Sequence, residues 1–121
     1  MYAARRKSGK PGKKHMQNVI FITCANNKEA EHIAEALVKN RLAACVNIVD
    51  RIKSVFWWQG KIDRAKETLL IVKSKKSNLA KIIKLVKSLH SYQVPEIIAL
   101  PISGGYKPYL EWIDASLTRL T

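Results

Sequence analysis

The chain has 121 residues and a mass of 13.7 kDa, which suffices for one compact domain and is too little for two of ordinary size. Apolar residues make up 47% of it, so a hydrophobic core is available and a wholly disordered chain is excluded. Lysine and arginine outnumber the acidic residues by 22 to 9, a net charge of +13. Such an excess is typical of proteins that bind polyanions, nucleic acids above all.

The first fifteen residues hold much of this charge. Residues 1–15 carry six basic residues and no acidic one, among Gly, Pro and Ser, a composition that predicts disorder. Three interpretations of these residues are open. They form an expression tag that precedes a native start at Met16, a basic tail that binds nucleic acid, or part of a transit peptide. We favour the tag, because an apolar run begins directly after Met16. No secretory h-region follows the charges, and no apolar run is long enough to span a membrane.

The apolar pattern of residues 16–121 predicts one domain with four strands and three helices. The predicted strands are Gln17–Ala25, Leu42–Trp58, Glu67–Lys75 and Glu96–Ser103. The predicted helices run from Asn26 to Asn40, from Ser77 or Asn78 to Leu89, and from Pro108 to Leu117.

Local signals support these assignments. Asn26 followed three residues later by Glu29 is typical of a capped helix start. The polar interruption at Asp50 predicts a bulge in the long second strand. Gly60 allows the tight turn that ends this strand, since glycine adopts positive φ without strain.

The order β-α-β-β-α-β followed by a helix is the ferredoxin-like pattern, an α+β fold with one antiparallel sheet. In this topology the second and fourth strands lie at the edges of the sheet. Pro101 agrees with an edge position for the fourth strand, because proline cannot donate to a β ladder.

The second strand predicts self-association. A long apolar edge strand promotes aggregation unless something covers it. Trp57 and Trp58 are adjacent and point to opposite faces of the sheet, whereas the helices of one domain cover only one face. We therefore expect a homo-oligomer whose subunits pair along this strand. The alternative is that the terminal helix, with Trp112, covers the second face within one chain.

Few residues carry an obvious chemistry. The chain has no GxGxxG, Walker, GxSxG or HExxH motif. Cys24 and Cys45 lack zinc-site spacing and lie in apolar runs, so we predict two buried free thiols in a reducing compartment. His90 follows the second helix, with Tyr92 and Glu96 nearby. It is either a helix-terminal histidine that the helix dipole favours or part of a metal or proton site.

Glu67 and Lys73 flank the apolar centre of the third strand. They share its parity, but six residues separate them by about 20 Å, so they cannot pair with each other. If a neighbouring subunit covers that face, each of the two needs a partner or a ligand.

A lysine stripe on the second helix, at Lys81, Lys84 and Lys87, is typical of a solvated face. An RNA-binding sheet of this topology presents stacking aromatic residues on its two central strands. Those strands offer Phe21 alone, so a nucleic-acid partner is the least favoured of the functions considered.

Five motifs, in this order, closely resemble the CutA divalent-cation tolerance family over roughly residues 18–117. They are Arg41-Leu-Ala-Ala-Cys-Val-Asn-Ile48, Trp58-Gln-Gly-Lys-Ile62, Glu67 through Lys73, His90-Ser-Tyr-Gln-Val-Pro-Glu-Ile-Ile98 and Tyr109-Leu-Glu-Trp-Ile113. The resemblance implies a ferredoxin-like fold and a tightly packed homotrimer in which the second strand extends across the subunit interface. It also implies a cytoplasmic role in tolerance to divalent metals, copper especially, without a settled enzymatic activity. We therefore expect that the chain is not an enzyme.

The resemblance also assigns residues to clefts between subunits. The implied metal ligands are His90, Glu67 and Cys45, a set of imidazole, carboxylate and thiolate that suits copper or zinc. The implied residues for a small-molecule ligand are Trp58, Lys73, Tyr92 and Glu96.

Two departures from the family pattern concern this site. Ser91 stands where some bacterial members have proline, which predicts a looser turn. Copper-binding members have a cysteine at the position of Thr23, whereas this chain has Cys24 one residue later, on the opposite face of the strand.

The main hypothesis is thus a homotrimer that binds divalent metal, copper included, in clefts between its subunits. The alternative is a regulatory trimer that binds a small molecule or an anion, with Lys73, Trp58 and Tyr92 around the ligand. Neither hypothesis involves a membrane.

Overall fold

The computed structural model describes residues 16–118. The strands are β1 (Gln17–Cys24), β2 (Cys45–Trp58), β3 (Lys61–Lys75) and β4 (Ile97–Pro101). The helices are α1 (Asn27–Lys39), α2 (Leu79–Leu89) and α3 (Lys107–Leu117), and a single 3₁₀ turn at Lys76–Asn78 precedes α2. The predicted basic leader at residues 1–15 lies outside the described residues.

The strands form one antiparallel sheet in the order β2-β3-β1-β4. The predicted α+β, ferredoxin-like fold is confirmed, and β2 and β4 are the edges. Pro101 of the edge strand β4 pairs with Asn18 of β1, and no strand of residues 16–118 lies on the other side of β4. The missing N–H of Pro101 therefore leaves no hydrogen bond of the sheet unmade.

Three predicted strands have wrong boundaries, and the first of them, β2, begins at Cys45 and not at Leu42. β3 begins at Lys61 and not at Glu67, because residues 61–66 pair with residues 53–58 of β2. These residues are mostly polar and exposed, so they lack the apolar alternation that marks a half-buried strand. β4 is shorter than predicted and ends at Pro101.

The core lies between the sheet and helices α1 and α2. Its fully buried members include Ile20 and Ile22 of β1, Ile33 of α1 and Ile82 of α2. Both faces of the sheet's centre are apolar, but only this face is covered by two helices. α3 contacts β1 and β3 and buries its own apolar residue Ile113 outside this cluster.

The predicted irregularities of β2 are present. A register shift separates Val49 from Ile52, and Arg51 within it has φ 62°. Gln59 and Gly60, with φ 52° and 79°, make the turn into β3, and two positive φ angles are typical of the turns that suit the twist of a hairpin. The bulge and this turn define the hairpin arm, residues 52–67, whose tip extends past the core.

The hairpin arm exposes large apolar side chains. Trp57 is 73% exposed, Val55 62% and Ile62 55%. α3 does not cover this surface, and its own Trp112 remains 42% exposed. The alternative in which the terminal helix covers the second face is therefore wrong for the hairpin arm. None of the helices in residues 16–118 is long and apolar enough to cross a bilayer.

Candidate functional site

An open cleft of about 760 Å³ lies on the uncovered face of the sheet, against the hairpin arm. The end of β1, both strands of the arm and the loop before β4 line it. Its lining residues include Trp58, Asp63, Glu67, Tyr92 and Glu96. Four predicted site residues, Trp58, Glu67, Tyr92 and Glu96, thus meet at one cleft, and Asp63 joins them.

Glu67 is the most buried carboxylate of the cleft, with 9% of its surface exposed. Its Oε2 accepts a 2.7 Å hydrogen bond from the Tyr92 hydroxyl. Burial, this hydrogen bond and the negative charge of Glu67 raise the pKa of Tyr92 above its usual value. Tyr92 therefore stays protonated and holds the carboxylate in a fixed orientation.

His90 lies behind Tyr92 with its side chain fully buried. Its Nδ1 accepts a 3.0 Å hydrogen bond from the backbone N–H of Tyr92, and its Nε2 lies 2.7 Å from the carbonyl oxygen of Thr23. A backbone N–H can only donate, so the proton of the neutral ring belongs on Nε2, which donates to Thr23. Both nitrogens are engaged, and the structure therefore gives His90 a structural position and not the free nitrogen of a metal ligand.

Glu29 fastens this segment to the start of α1. Its two carboxylate oxygens accept hydrogen bonds from the backbone N–H groups of Ala25, at 3.0 Å, and Ser91, at 2.9 Å, and one of them lies 3.6 Å from Nδ1 of His90. Burial alone raises its pKa, but the hydrogen bonds from Ala25 and Ser91 outweigh burial and hold the pKa of Glu29 below its usual value. In the sequence, Glu29 was recognisable only as a helix-start signal.

Cys24 lies beside Glu29 and His90, in the helix-covered core. In residues 16–118 these three form the one group of cysteine, histidine or carboxylate side chains whose donor atoms all lie within 4.8 Å of one another. Burial, followed by the charges of Glu29 and Glu67, raises the pKa of Cys24 to about 12. With its thiol protonated and its neighbours already hydrogen bonded, this group is a buried cluster and not a ready metal site. Thr23 lines the cleft instead, so the two residues do lie on opposite faces.

Cys45 and Lys73 lie at the other end of the sheet. They are directly opposite each other in the β2–β3 ladder, with Nζ 3.7 Å from Sγ, and Lys73 also donates to Oδ1 of Asn47. Burial, the charge of Cys45 and a hydrogen bond with it raise the pKa of Tyr109, so α3 reaches the same thiol. Six residues of β3, about 20 Å, separate this group from Glu67. Within one chain the structure therefore does not bring Cys45 together with Glu67 and His90.

One known protein family matches the chain over almost all of the fold. The model of the family described as CutA1 divalent ion tolerance protein matches residues 18–116. The chain belongs to this family. The match covers every strand except the first residue of β1, together with all of the cleft.

CutA relatives occur in archaea, bacteria and eukaryotes. The divalent-cation tolerance protein CutA of Archaeoglobus fulgidus is 48% identical over 102 residues, which are 84% of this chain and 99% of that protein. The protein of the same name from Thermus thermophilus is 47% identical, over 81% of this chain and 95% of its own. The chloroplastic CutA 1 of rice is 46% identical over 81% of this chain. This chain spans 55% of the rice protein and about half the length of the mammalian relatives.

Solved CutA structures have the same fold. The structure titled periplasmic divalent cation tolerance protein CutA from Archaeoglobus fulgidus aligns with a TM-score of 0.82 over 85% of this chain and 100% of that one. CutA1 from rice, 43% identical, aligns with a TM-score of 0.83 over 91% of this chain and 100% of that one. The relatives' names include chloroplastic and periplasmic proteins. A cytoplasmic location for this chain therefore stays a prediction.

Proposed function

We propose that this chain confers divalent-cation tolerance by binding metal ions in its open-face cleft, with Glu67 as the central ligand. The observation that carries the proposal is the environment of the Glu67 carboxylate, which is only 9% exposed. Within residues 16–118 it accepts one hydrogen bond, and the donor is the neutral hydroxyl of Tyr92. No basic side chain of those residues forms an ion pair with it. A buried carboxylate without a positive partner is costly, and a bound cation supplies that partner.

The cleft provides oxygen ligands. Asp63 and Glu96 line it together with Glu67, and carboxylates bind divalent cations including Cu²⁺ and Zn²⁺. In the described part of one chain, however, these three carboxylates do not converge within ligand distance. Further ligands must come from water or from another subunit.

We propose that other copies of the chain complete the cleft. The hairpin arm that forms one wall exposes the large apolar side chains of Val55, Trp57 and Ile62, which a subunit contact removes from water. A homotrimer is the assembly that the family resemblance implies, and it buries this surface. In this proposal the protein binds its ions and catalyses no reaction.

Isothermal titration calorimetry of the full chain with Zn²⁺ and with Cu²⁺ tests the metal proposal. Glu67→Gln keeps the size of the side chain and removes its charge, so we expect affinity to fall about tenfold or more. Glu35→Gln, at an exposed position of α1, is the matched control and should bind like the native chain. Equal affinity of the native chain and Glu67→Gln contradicts the proposal.

A second function, the binding of a small anion, is favoured by Lys73. Its half-buried ammonium group contacts Cys45 and Asn47, and within residues 16–118 it forms no ion pair with a carboxylate. Thermal-shift measurements with phosphate, citrate and nucleotides test this alternative. An anion that stabilises the native chain but not Lys73→Met supports it, and equal shifts for both proteins contradict it.

A further inference from the structure

The positive charge of the domain is concentrated in one segment. Residues 16–121 contain 16 basic and nine acidic residues, an excess of seven. Six of the basic residues, all lysines, lie between Thr68 and Pro95, where no acidic residue occurs. The rest of the domain is therefore almost neutral.

Four exposed lysines, one in the turn before α2 and three on α2, make up what we call the lysine face: Lys76, Lys81, Lys84 and Lys87. All four are exposed, the first in the 3₁₀ turn and the others at every third position of α2. Residues three apart on a helix are neighbours, about 5–6 Å between Cβ atoms. The opposite side of α2 packs into the core through Ile82 and Val86.

The protein does not neutralise the lysine face. In residues 16–118, none of its four ammonium groups forms an ion pair or a hydrogen bond with another side chain. The neighbouring helix α1 carries the exposed acids Glu31 and Glu35, and neither of them pairs with these lysines. Like charges at this spacing repel one another and destabilise the helix slightly. No acidic side chain of the described residues offsets this repulsion, so a polyanion bound across the lysines would reduce it.

We propose that the lysine face binds the phosphate backbone of duplex nucleic acid without sequence preference. A row of unpaired ammonium groups is the usual means of contacting successive phosphates. Among the exposed large apolar residues of the described chain, none lies on α2. The face therefore offers no side chain to insert into a lipid bilayer and no aromatic ring on which single-stranded bases stack.

This surface is separate from the cleft. α2 covers the core face of the sheet, whereas the cleft and the exposed hairpin arm belong to the opposite face and to its edge. Duplex binding by the lysine face therefore depends neither on the metal proposal nor on the subunit contacts inferred above. It also differs from the sheet-surface mode of RNA binding that the sequence argues against.

Fluorescence anisotropy of a labelled 20-base-pair duplex, titrated with the full chain between 50 and 200 mM salt, tests the proposal. The variant Lys81→Gln/Lys84→Gln/Lys87→Gln should bind at least about tenfold more weakly at 50 mM salt. Its plot of log affinity against log salt should be shallower by about 3, roughly one unit for each phosphate that a lysine no longer neutralises. The matched control Lys28→Gln/Lys39→Gln/Lys107→Gln removes the same charge from exposed positions elsewhere and should change the slope by less than about 1.

Two further measurements separate the lysine face from other sources of binding. Neutralising the six basic residues of segment 1–15 should weaken duplex binding and leave the contribution of the lysine face intact. The proposal is overturned if that change abolishes binding, or if the α2 variant and its control behave alike. It is also overturned if phosphatidylserine vesicles, and not the duplex, show the dependence on the α2 lysines.

Discussion

Tyr92 is held at both ends, and this explains how a loop residue can orient a carboxylate. Its backbone N–H donates to the buried ring of His90, and its hydroxyl donates to Glu67. Glu29 fixes Ser91, which lies between His90 and Tyr92 in the chain, by accepting a hydrogen bond from its backbone N–H. The start of α1 and the cleft are therefore connected through hydrogen bonds to three consecutive residues of the chain, His90, Ser91 and Tyr92.

Replacing His90 should be costly for stability. His90→Ala leaves the N–H of Tyr92 and the carbonyl of Thr23 without their partner in a buried place, and we expect the free energy of unfolding to fall by about 3 kcal/mol. His32→Ala, at an exposed position of α1, is the control and should change it by less than about 0.5 kcal/mol. Urea denaturation measures both, and a His90 variant as stable as the control contradicts this role.

The buried thiol of Cys24 predicts a loss of stability at alkaline pH. Its pKa is about 12 in the folded chain against 9.0 for a free thiol, so between these values the unfolded chain loses a proton that the folded chain keeps. The free energy of unfolding then falls as pH rises, by up to about 1.4 kcal/mol per pH unit. Tyr92, whose pKa is also raised, adds to the fall above pH 10.

Cys24→Ala isolates the contribution of this thiol. Urea denaturation between pH 8.5 and 10 should show a flatter pH dependence in the variant than in the native chain, whatever its absolute stability. Parallel pH dependences would mean that the thiol titrates alike in the folded and unfolded states.

At this scale the family resemblance named residues that one chain brings together only in part, because Cys45 and Lys73 lie away from the cleft. Glu67, Tyr92 and Glu96 do share the cleft, as the family resemblance implied, whereas strand parity alone did not group them. The inward position of His90 could not be foreseen, because one residue after a helix has no periodicity that shows which way it points. Glu29 was visible only as a cap, since its bond to Ser91 spans 62 positions.

Among the structural elements, the hairpin arm depends on its turn. Gly60 has φ 79°, which glycine adopts without strain and alanine does not. We expect Gly60→Ala to lower the free energy of unfolding by about 1 kcal/mol although its new Cβ meets no neighbouring atom. Gly104→Ala is the control: it also meets open space, its φ is not positive, and it should be neutral or slightly stabilising. Equal effects in thermal denaturation would contradict the importance of the turn.

The elements differ in how well the sequence predicts them. Apolar periodicity gives α1, α2 and the centre of β3 directly, because each buries one or both faces. It misses the first six residues of β3, since pairing with β2 and not burial holds them in place. The bulge was predictable because a polar pair interrupts an apolar strand, whereas the positive φ of Arg51 was not.

For the whole molecule, the central claim is that one chain is incomplete. The helix-covered face has a closed core, whereas the opposite face carries a cleft with a buried carboxylate and an apolar arm with little to cover it. The proposal that other copies lie against this face accounts for both features, because in that proposal the same contact completes the wall of the cleft and its ligands.

Sedimentation equilibrium of the full chain tests this claim most directly. We predict a mass three times the 13.7 kDa of one chain, and dissociation when Trp57, 73% exposed on the arm, is changed to Glu. Val38→Glu, which places the same charge on a partly exposed apolar position of α1, should leave the mass unchanged. A native chain that sediments at 13.7 kDa across micromolar concentrations would contradict the claim.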